Sequence, residues 1–420
     1  MNFARNERLE SDLLDRFCRY VQIDTTSDRQ SETKPTSPRQ WELLHLLEVE
    51  LKTLGLTGVH TDPRGYTLGT LPASPGKEAA PAVALLAHVD TSPDAPGGPV
   101  KPLIHRGYDG QPIRLPAGLV LDPKDNPVLA RYVGETVITS DGSTLLGADD
   151  KAGVAEIMAA VAWLAAHPEL PRPTLEIVFT TDEEVGRGTE NFPFDKLKST
   201  FAYTLDGSEE GGVESECYHA HRALVTFRGI SHHPGTARGK LVNAVTMVGL
   251  FLTLLPRSES PEATDGRFGC VWANDVQGGI EKATLEVYVR DFDLKQSERR
   301  LASLRAYADA VEAAFPGGKV TLETSVQYRN MKDKLDEHPL VLKNLLAAVR
   351  ATGLEPFSEA IRGGTDGARL TELGLPTPNL FTGGMNYHSR TEWAALPAMV
   401  RASQTVIALA ALWADHTGPA

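Results

Sequence analysis

An apolar strand that ends in three consecutive carboxylates places the strongest constraint on the fold of this chain. Residues 175–179 form an apolar, β-branched run typical of a buried strand, and Asp182, Glu183 and Glu184 follow it. Like charges at the end of a buried strand repel one another and lose solvation, and this cost must be offset. A bound metal ion would offset it, because one carboxylate could hold the metal while its neighbour faces a substrate. A solvated acidic turn is the alternative interpretation.

The composition narrows the class of protein. A chain of 420 residues is too long for one typical core, so two domains are expected. The formal net charge of -13 argues against a nucleic-acid or anionic-membrane partner, because both favour a basic face. Three scattered cysteines, Cys18, Cys217 and Cys270, favour a reduced cytoplasm over a disulfide framework. The polar segment Met1–Arg8 is not expected to be a signal peptide, and no apolar run approaches the roughly 20 residues of a membrane span.

Strands and helices alternate along the first half of the chain. This alternation predicts an α/β fold with a mostly parallel-stranded sheet and flanking helices. The strands are expected at residues 83–87, 135–139, 175–179 and 201–205, with helices at 7–26 and 40–54 and a third that opens within 145–153 and continues to about 166. Residues 93–130 are rich in proline and glycine and are expected to be irregular.

The pattern changes after residue 208. Six elements follow in the order β-α-β-β-α-β, which is typical of a ferredoxin-like domain. We therefore expect a catalytic domain in two segments, 1–208 and 329–420, with an inserted ferredoxin-like lid domain at 209–328. The second segment is predicted to contribute helices at 340–352 and 396–414 and a strand at 378–381.

Candidate metal ligands stand at the ends of the predicted elements. His88 and Asp90 are two residues apart just after a strand, so in extended geometry they point the same way. In an α/β sheet, ligand sites gather outside the carboxyl ends of the strands. Two imidazoles and three carboxylates suit two zinc ions, or cobalt or manganese. The full candidate set is His88, Asp149, Glu184, Asp206 and His388, although a single Asp at a helix start is also a common cap.

Seven stretches together carry a resemblance to a known family. They are His88–Asp94, Leu145–Gly153, Thr181–Gly186, His233–Ala237, Val289–Asp293, Ile361–Ala368 and Asn379–His388. With these stretches, the chain resembles the aminotripeptidases of the di-zinc metallopeptidase superfamily, which also holds aminoacylase and glutamate carboxypeptidase. The resemblance extends from about residue 12 to about residue 410.

The resemblance implies a role for each candidate ligand. His88 and Asp206 would bind one zinc ion, while His388 and Glu184 would bind the other. Asp149 would bridge both ions, and it is preferred to Asp150 because the family ligand lies two residues before a lysine. Two zinc ions per subunit are therefore expected, with cobalt or manganese as possible substitutes.

The resemblance also implies the catalytic and substrate-binding residues. Asp90 would orient His88, and Glu183 would be the general base that activates a metal-bridging hydroxide. His233 would stabilise the oxyanion, although a histidine beside Pro-Gly is often only a turn residue. Arg362 would capture the terminal carboxylate of a peptide, with a surface salt bridge as the alternative. Asn274 and Asn386 are further candidates for substrate binding, and Asp182 is expected to be a solvated or turn-forming carboxylate.

The implied function is a cytoplasmic, zinc-dependent aminopeptidase that releases the N-terminal residue of tripeptides. Its partners would be small peptides, with no nucleic acid and no membrane, and a homodimer through the lid is possible. A dipeptidase or acyl-amino-acid hydrolase of the same superfamily is the alternative enzyme. A peptide-binding protein that has lost its metals is the non-enzymatic alternative, and it would require a missing ligand or base.

Overall fold

The structure is a computed structural model that describes residues 6–416, apart from the side chain of Glu359. The first five residues of the N-terminal segment 1–8, which we do not expect to be a signal peptide, lie outside this range. The chain forms two compact units. The first unit runs up to Ser215 and also contains Asp333–Glu359 and the chain from Thr365 onward, and the second contains Glu216–Lys332 and Ala360–Gly364.

The helices and strands of the described residues are numbered in chain order. The helices are α1 (Glu7–Val21), α2 (Gln40–Thr53), α3 (Ala148–Ala166), α4 (Ala244–Leu254), α5 (Leu294–Ala314), α6 (Lys332–Leu335), α7 (Pro339–Ala351), α8 (Asp366–Glu372) and α9 (Leu396–Ala414). The strands are β1 (Thr57–Thr61), β2 (Thr67–Leu71), β3 (Val83–His88), β4 (Leu103–His105), β5 (Ile113–Arg114), β6 (Val120–Leu121), β7 (Val137–Thr139), β8 (Leu175–Thr180), β9 (Ala202–Gly207), β10 (Gly212–Cys217), β11 (His219–Arg228), β12 (Cys270–Gly278), β13 (Lys282–Asp291), β14 (Lys319–Tyr328), β15 (Phe357–Ile361), β16 (Asn379–Phe381), β17 (Gly384–Met385) and β18 (Trp393–Ala395).

The main sheet of the first unit has eight strands in the order β1-β2-β8-β3-β9-β16-β10-β15. Strands β8, β3, β9 and β16 are parallel, whereas β2 pairs antiparallel with β8 and β10 pairs antiparallel with β16. Every residue of β3 and β8 is buried, as their continuous apolar sequences predict for strands covered on both faces. The carboxyl ends of the four parallel strands therefore lie along one edge of the sheet.

Helix α3 packs closely against the centre of this sheet. Helices α1 and α9 pack on α3, and all three contribute to one large hydrophobic core. Gly153 permits the close approach, because a Cβ atom at this position would lie 2.0 Å from the carbonyl oxygen of Leu205 in β9. This packing fixes the N-terminal end of α3, which carries Asp149 and Asp150, against the strand ends.

Helix α9 corrects one prediction from the sequence. By length and composition, Leu396–Ala414 is apolar enough to cross a membrane, contrary to our expectation that no run approaches that length. However, 78% of its apolar window is buried inside the protein. Its apolar character is explained by contacts with α3 and α7, as in the core helix of a globular domain.

The second unit contains a four-stranded antiparallel sheet in the order β12-β13-β11-β14. Alternate residues of β11 and β13 are buried, and α4 and α5 cover this apolar face. The element order β-α-β-β-α-β and the α/β class are both confirmed by the structure.

Residues 93–130 are less irregular than their sequence indicates. They contain the short strands β4, β5 and β6, and β4 joins a small sheet in the order β17-β18-β7-β4. A separate hydrophobic cluster around Tyr108, Leu129 and Trp393 holds this region together. Strands of two or three residues are too short to show an apolar alternation, so the sequence pattern missed them.

The close approach at Gly153 predicts a specific loss of stability. In Gly153→Ala, the added methyl would clash with the Leu205 carbonyl and with Asp150 Oδ1, which would lie 2.5 Å away. We expect the free energy of unfolding to fall by about 1–3 kcal/mol, measured by urea denaturation. Gly249→Ala in α4 is the control, because a Cβ there meets nothing within 4 Å, so this variant should gain roughly 0.5–1 kcal/mol. Equal stability of the two variants would contradict the packing argument.

Candidate metal centre

The five predicted ligands converge at the carboxyl edge of the main sheet. His88 is the last residue of β3, Asp206 lies near the end of β9, and Glu184 lies in the turn after β8. Asp149 lies at the start of α3, and His388 follows β17. All five residues belong to the first unit.

Asp149 lies between the two histidines. Its Oδ1 is 3.0 Å from Nε2 of His88, and its Oδ2 is 3.3 Å from Nε2 of His388. Nε2 of His88 is also 3.5 Å from Asp206 Oδ1, and Nε2 of His388 is 2.9 Å from Glu184 Oε2. The side chains thus form two adjoining sets, one around each histidine, which share a single carboxylate.

The neighbouring carboxylate of Asp150 is engaged differently. Its Oδ2 accepts the backbone N–H of His88 at 3.1 Å, and its Oδ1 accepts that of Gly153 at 3.2 Å. Asp150 is close enough to His88 and Asp206 to form a metal-ligating group, as Asp149 is with His88 and Glu184. Because both oxygens of Asp150 already accept backbone hydrogen bonds, the geometry favours Asp149 as the shared ligand.

Asp90 joins His88 to the acidic turn after β8. The Nδ1 of His88 is 3.0 Å from the main-chain oxygen of Asp90 and 3.3 Å from its carboxylate. A proton on Nδ1 satisfies these contacts and leaves the lone pair of Nε2 facing the site. The same carboxylate accepts the backbone N–H groups of Glu183 at 3.0 Å and Glu184 at 3.2 Å. Asp90 is fully buried, so it fixes a proposed ligand and the proposed base together.

Asp182 is not the solvated carboxylate that we expected. It is fully buried, and its oxygens accept hydrogen bonds from the backbone N–H and hydroxyl of Thr36 and from Nε2 of Gln40 at 2.7 Å. The backbone of Asp182 is left-handed, with φ of 65°. The expectation was wrong because the partners of Asp182 lie about 146 residues earlier in the chain, where no local sequence pattern reveals them.

The segment at residues 31–36 makes a second set of hydrogen bonds to the loop that follows the acidic turn at residues 182–184. Arg187 donates hydrogen bonds to the carbonyl oxygens of Ser31 and Thr33, and Lys34 donates to the carbonyl oxygen of Arg187. Hydrogen bonds from both sides of the turn to the segment at residues 31–36 therefore hold Glu183 and Glu184 in position.

Burial and charge shift the pKa values of the site in different directions. Burial raises the pKa of Glu183 well above its usual range, and burial likewise raises the pKa of Glu184 to about 7 and that of Asp206 to about 6. Burial also opposes ionisation of Asp149, but hydrogen bonds from His388 and His88 outweigh it and lower the pKa of this carboxyl group. Hydrogen bonds to Asp149 and Glu184 raise the pKa of His388 to about 11.

The donor set fits divalent cations. Two imidazole nitrogens and three carboxylates are the ligands that zinc and manganese take in proteins. Glu184 Oε1 is buried without a hydrogen-bond partner, which leaves an acceptor that a cation could satisfy. A cation would also reduce the repulsion between the buried carboxylates.

Backbone strain is concentrated near the same site. Asn386 and His388 have left-handed backbone conformations, with φ of 58° and 59°. Together with Asp182, they account for three of the four non-glycine residues of this kind within residues 6–416. Such conformations cost of order 1–3 kcal/mol each and cluster at functional sites.

The predicted substrate-binding residues have different surroundings. His233 is exposed in the second unit, where its Nδ1 accepts the backbone N–H of Gly235. Asn274, also exposed, donates to Glu286. Asn386 donates to Asn126 Oδ1 at 2.7 Å and to a main-chain oxygen of its own loop.

Arg362 is held within the second unit by main-chain oxygens. Its guanidinium donates to the carbonyl oxygens of Thr264, Gly266 and Phe268, at 2.7–3.0 Å. It also lies over the ring of Tyr218. In this structure Arg362 thus closes the loop at 264–268. Among the side chains that the structure describes, none forms a salt bridge with Arg362, which was its alternative role.

Two buried carboxylates near the site were not singled out from the sequence. Asp366 accepts the hydroxyl of Thr180 at 2.9 Å, and burial raises its pKa to about 6. Glu392 accepts backbone N–H groups at the start of α3. Asp366 lies within a stretch that supported the family resemblance, so its position was a usable signal, whereas Glu392 had no such signal.

Comparisons with known proteins identify the family of this chain. Residues 142–412 match the model of peptidase family M20/M25/M40. The chain is 42% identical to Peptidase T from Geobacillus sp. over 407 residues, which cover 96% of this chain and 99% of that protein. It is also 42% identical to Peptidase T from Listeria monocytogenes over 409 residues, covering 97% of this chain and all of that protein.

Solved structures share the fold. A tripeptidase from Staphylococcus aureus matches with a TM-score of 0.76 at 20% identity, covering 97% of this chain and 99% of that chain. The aminopeptidase PepT from Bacillus cereus matches with a TM-score of 0.74 at 22% identity and the same coverage. A dinuclear metal-binding peptidase of the M20 family from Bacillus subtilis matches with a TM-score of 0.65 at 15% identity, again with the same coverage.

The cluster of carboxylates predicts that divalent metal stabilises the protein. Adding Zn²⁺ or Mn²⁺ to chelator-treated protein should raise the melting temperature, because binding to the folded state alone contributes about 2.7 kcal/mol at 100 times Kd. The shift should be clearly smaller in His88→Ala, which removes one of the two imidazoles, and unchanged in His45→Ala, which removes an exposed histidine of α2. An equal shift in both variants would show that the metal binds elsewhere.

Proposed function

The chain belongs to peptidase family M20/M25/M40, and from this premise we propose that it is a metal-dependent aminopeptidase that releases the N-terminal residue of tripeptides. The resemblance to aminotripeptidases that the sequence indicated is confirmed by the relatives named Peptidase T. The chain matches them over 99% and 100% of their length. The observation that carries the proposal is the convergence of two histidines and two further carboxylates on Asp149. One of these carboxylates, Glu184, directly follows the half-buried Glu183 in the chain.

We assign each ligand by its place in the two sets. His88 and Asp206 would hold one ion, His388 and Glu184 would hold the other, and Asp149 would contact both. Zn²⁺ is the proposed metal, with Co²⁺ or Mn²⁺ as substitutes. When bound, such ions supply Lewis acidity, which lowers the pKa of water and polarises a carbonyl group.

Glu183 is the proposed general base and acid. It would accept a proton from the attacking water and then pass that proton to the amine that leaves. Burial raises the pKa of Glu183 well above its usual range, as is common for carboxyl groups at catalytic sites. Asp90, which we grouped with the catalytic residues, is proposed as a positioning residue because it holds His88 and the backbone of Glu183.

The remaining assignments are proposals about the substrate and the setting of the enzyme. We propose His233 as the group that stabilises the oxyanion and Arg362 as a contact for the substrate carboxylate, which would have to exchange some of its present carbonyl partners. Asn274 is retained as a substrate contact, and Asn386 is proposed to shape the loop of His388. We also propose an inserted lid at residues 209–328, between catalytic segments 1–208 and 329–420; the second unit, Glu216–Lys332 with Ala360–Gly364, overlaps most of it.

A cytoplasmic location and small peptide partners complete the proposal. Within the described residues the three cysteines form no disulfide, an arrangement compatible with a reducing compartment. A homodimer through the lid remains a proposal.

A panel of blocked and free substrates tests the proposed specificity. A free tripeptide should be hydrolysed faster than the corresponding dipeptide, the N-acetyl tripeptide or an N-acetyl amino acid. Activity on the tripeptide should be lost on chelation and regained on adding Zn²⁺. The measurement is kcat/KM for each substrate by amine release. Hydrolysis of the N-acetyl tripeptide at the rate of the free one would refute the aminopeptidase claim, and a preference for the dipeptide or the N-acetyl amino acid would favour the alternative enzymes.

Replacing the proposed base should separate chemistry from metal binding. In Glu183→Gln, kcat should fall by about 10²- to 10⁴-fold or more because no group remains to move the proton. Metal content, measured on the same sample, should stay at the wild-type value. Glu190→Gln, on the exposed part of the same loop, is the control and should keep full activity. Near-normal turnover by the Glu183 variant would remove this residue from the mechanism.

A further inference from the structure

Glu392 is a buried carboxylate that lies four residues after His388. It is 1% exposed and directly precedes β18. Strand β18 pairs with β7, with Trp393 opposite Thr139, so the main chain beside Glu392 is anchored in a sheet. The loop that carries His388 therefore ends at a fixed point of the fold.

The carboxylate of Glu392 accepts three hydrogen bonds from one distant segment. Its Oε2 accepts the backbone N–H groups of Leu146 and Gly147, each at 2.8 Å. Its Oε1 accepts the backbone N–H of Asp149 at 3.1 Å. Both oxygens of a carboxylate can accept hydrogen bonds, so one side chain can hold several backbone N–H groups at once. Glu392 therefore holds the backbone on both sides of Ala148, at the start of α3.

These contacts connect two of the proposed metal ligands. Glu392 lies at the end of the loop that carries His388, and its carboxylate holds the backbone of the segment that carries Asp149. The side chains of His388 and Asp149 also meet, with His388 Nε2 3.3 Å from Asp149 Oδ2. Their separation is therefore set by one buried carboxylate together with the short chain from residue 388 to residue 392.

We propose that Glu392 is a positioning residue that preorganises Asp149 and His388 for divalent metal, and this inference rests on the proposed function. Glu392 contacts the backbone of one ligand segment without being a ligand itself. Mutation of a residue that holds a metal ligand by hydrogen bonds typically lowers metal affinity or activity by about 10- to 100-fold. Loss of the Glu392 hydrogen bonds should have this effect because the ligand loops would then have to be ordered by the metal itself.

Glu176 offers a matched comparison within the same unit. It is also buried, and it also accepts backbone N–H groups, from Lys198 at 2.9 Å and Ser199 at 2.8 Å. However, it lies at the opposite end of β8 from Glu183 and holds a loop that contains no proposed ligand. A carboxylate with a purely structural role should behave as Glu176 does.

The test compares Glu392→Gln with Glu176→Gln in the full chain. Because a glutamine offers only one acceptor oxygen, each variant should lose hydrogen bonds and melt at a lower temperature without metal. Zn²⁺ affinity, measured by competition with a chromogenic chelator, should fall about 10- to 100-fold in Glu392→Gln and stay at the wild-type value in Glu176→Gln. With saturating Zn²⁺, Glu392→Gln should regain tripeptide hydrolysis with KM close to the wild-type value.

Wild-type Zn²⁺ affinity in Glu392→Gln, or an equal loss in Glu176→Gln, would overturn the inference. If Glu392→Gln does not fold, Glu392→Asp keeps the charge and retracts it by one methylene, and it should bind Zn²⁺ more weakly than the wild type. Because Zn²⁺ affinity is measured without a peptide substrate, the predicted affinity difference would stand even if no tripeptide were hydrolysed. That second result would overturn only the proposed function.

Discussion

Hydrogen bonds from backbone N–H groups to buried carboxylates hold the site together. Asp90 holds the backbone of Glu183 and Glu184, Asp182 holds that of Thr36, and Glu392 holds that of Asp149. A carboxylate can accept several N–H groups at once, so each one ties together segments that no regular secondary structure connects. This arrangement lets loops, which are usually mobile, present like-charged groups at fixed distances.

The same arrangement concentrates negative charge, with consequences for stability. Burial raises the pKa of Glu183, Glu184 and Asp206, so the folded protein without metal retains protons that the unfolded chain releases near pH 4. Each of these groups therefore lowers stability as the pH rises from about 4 through its folded pKa. Asp149, whose pKa is lowered, acts in the opposite sense. Cations at this edge of the sheet would replace the retained protons and allow the carboxylates to ionise.

Much of this architecture could be predicted because it depends on local patterns. The apolar runs of β3 and β8 indicate buried parallel strands, and their ends show where side chains must gather. The predicted ligands meet there because each of them stands at or close to an end of a regular element. The α/β class and the order of elements in the second unit follow from the same periodicity.

The remainder could not be predicted because it depends on distant partners or very short elements. Nothing near Asp182 indicates that Thr36 will cover it, and nothing near Glu392 indicates contact with the start of α3. Strand β1 has the sequence Thr-Gly-Val-His-Thr with two exposed positions at its start, so it shows no clear alternation. Arg362 looked free to bind an anion, whereas in the fold it is surrounded by carbonyl oxygens of its own unit.

The sequence separation of the contacts made by Glu392 has a consequence for biosynthesis. Glu392 follows Asp149 by 243 residues, and Asp182 follows Thr36 by 146. Contacts between positions so far apart form late, because the intervening chain must first be synthesised and folded. A growing chain on the ribosome therefore carries the ligand segments long before they are locked into one geometry. The order of translation thus delays completion of the proposed metal centre until the segment that carries His388 and Glu392 has been synthesised.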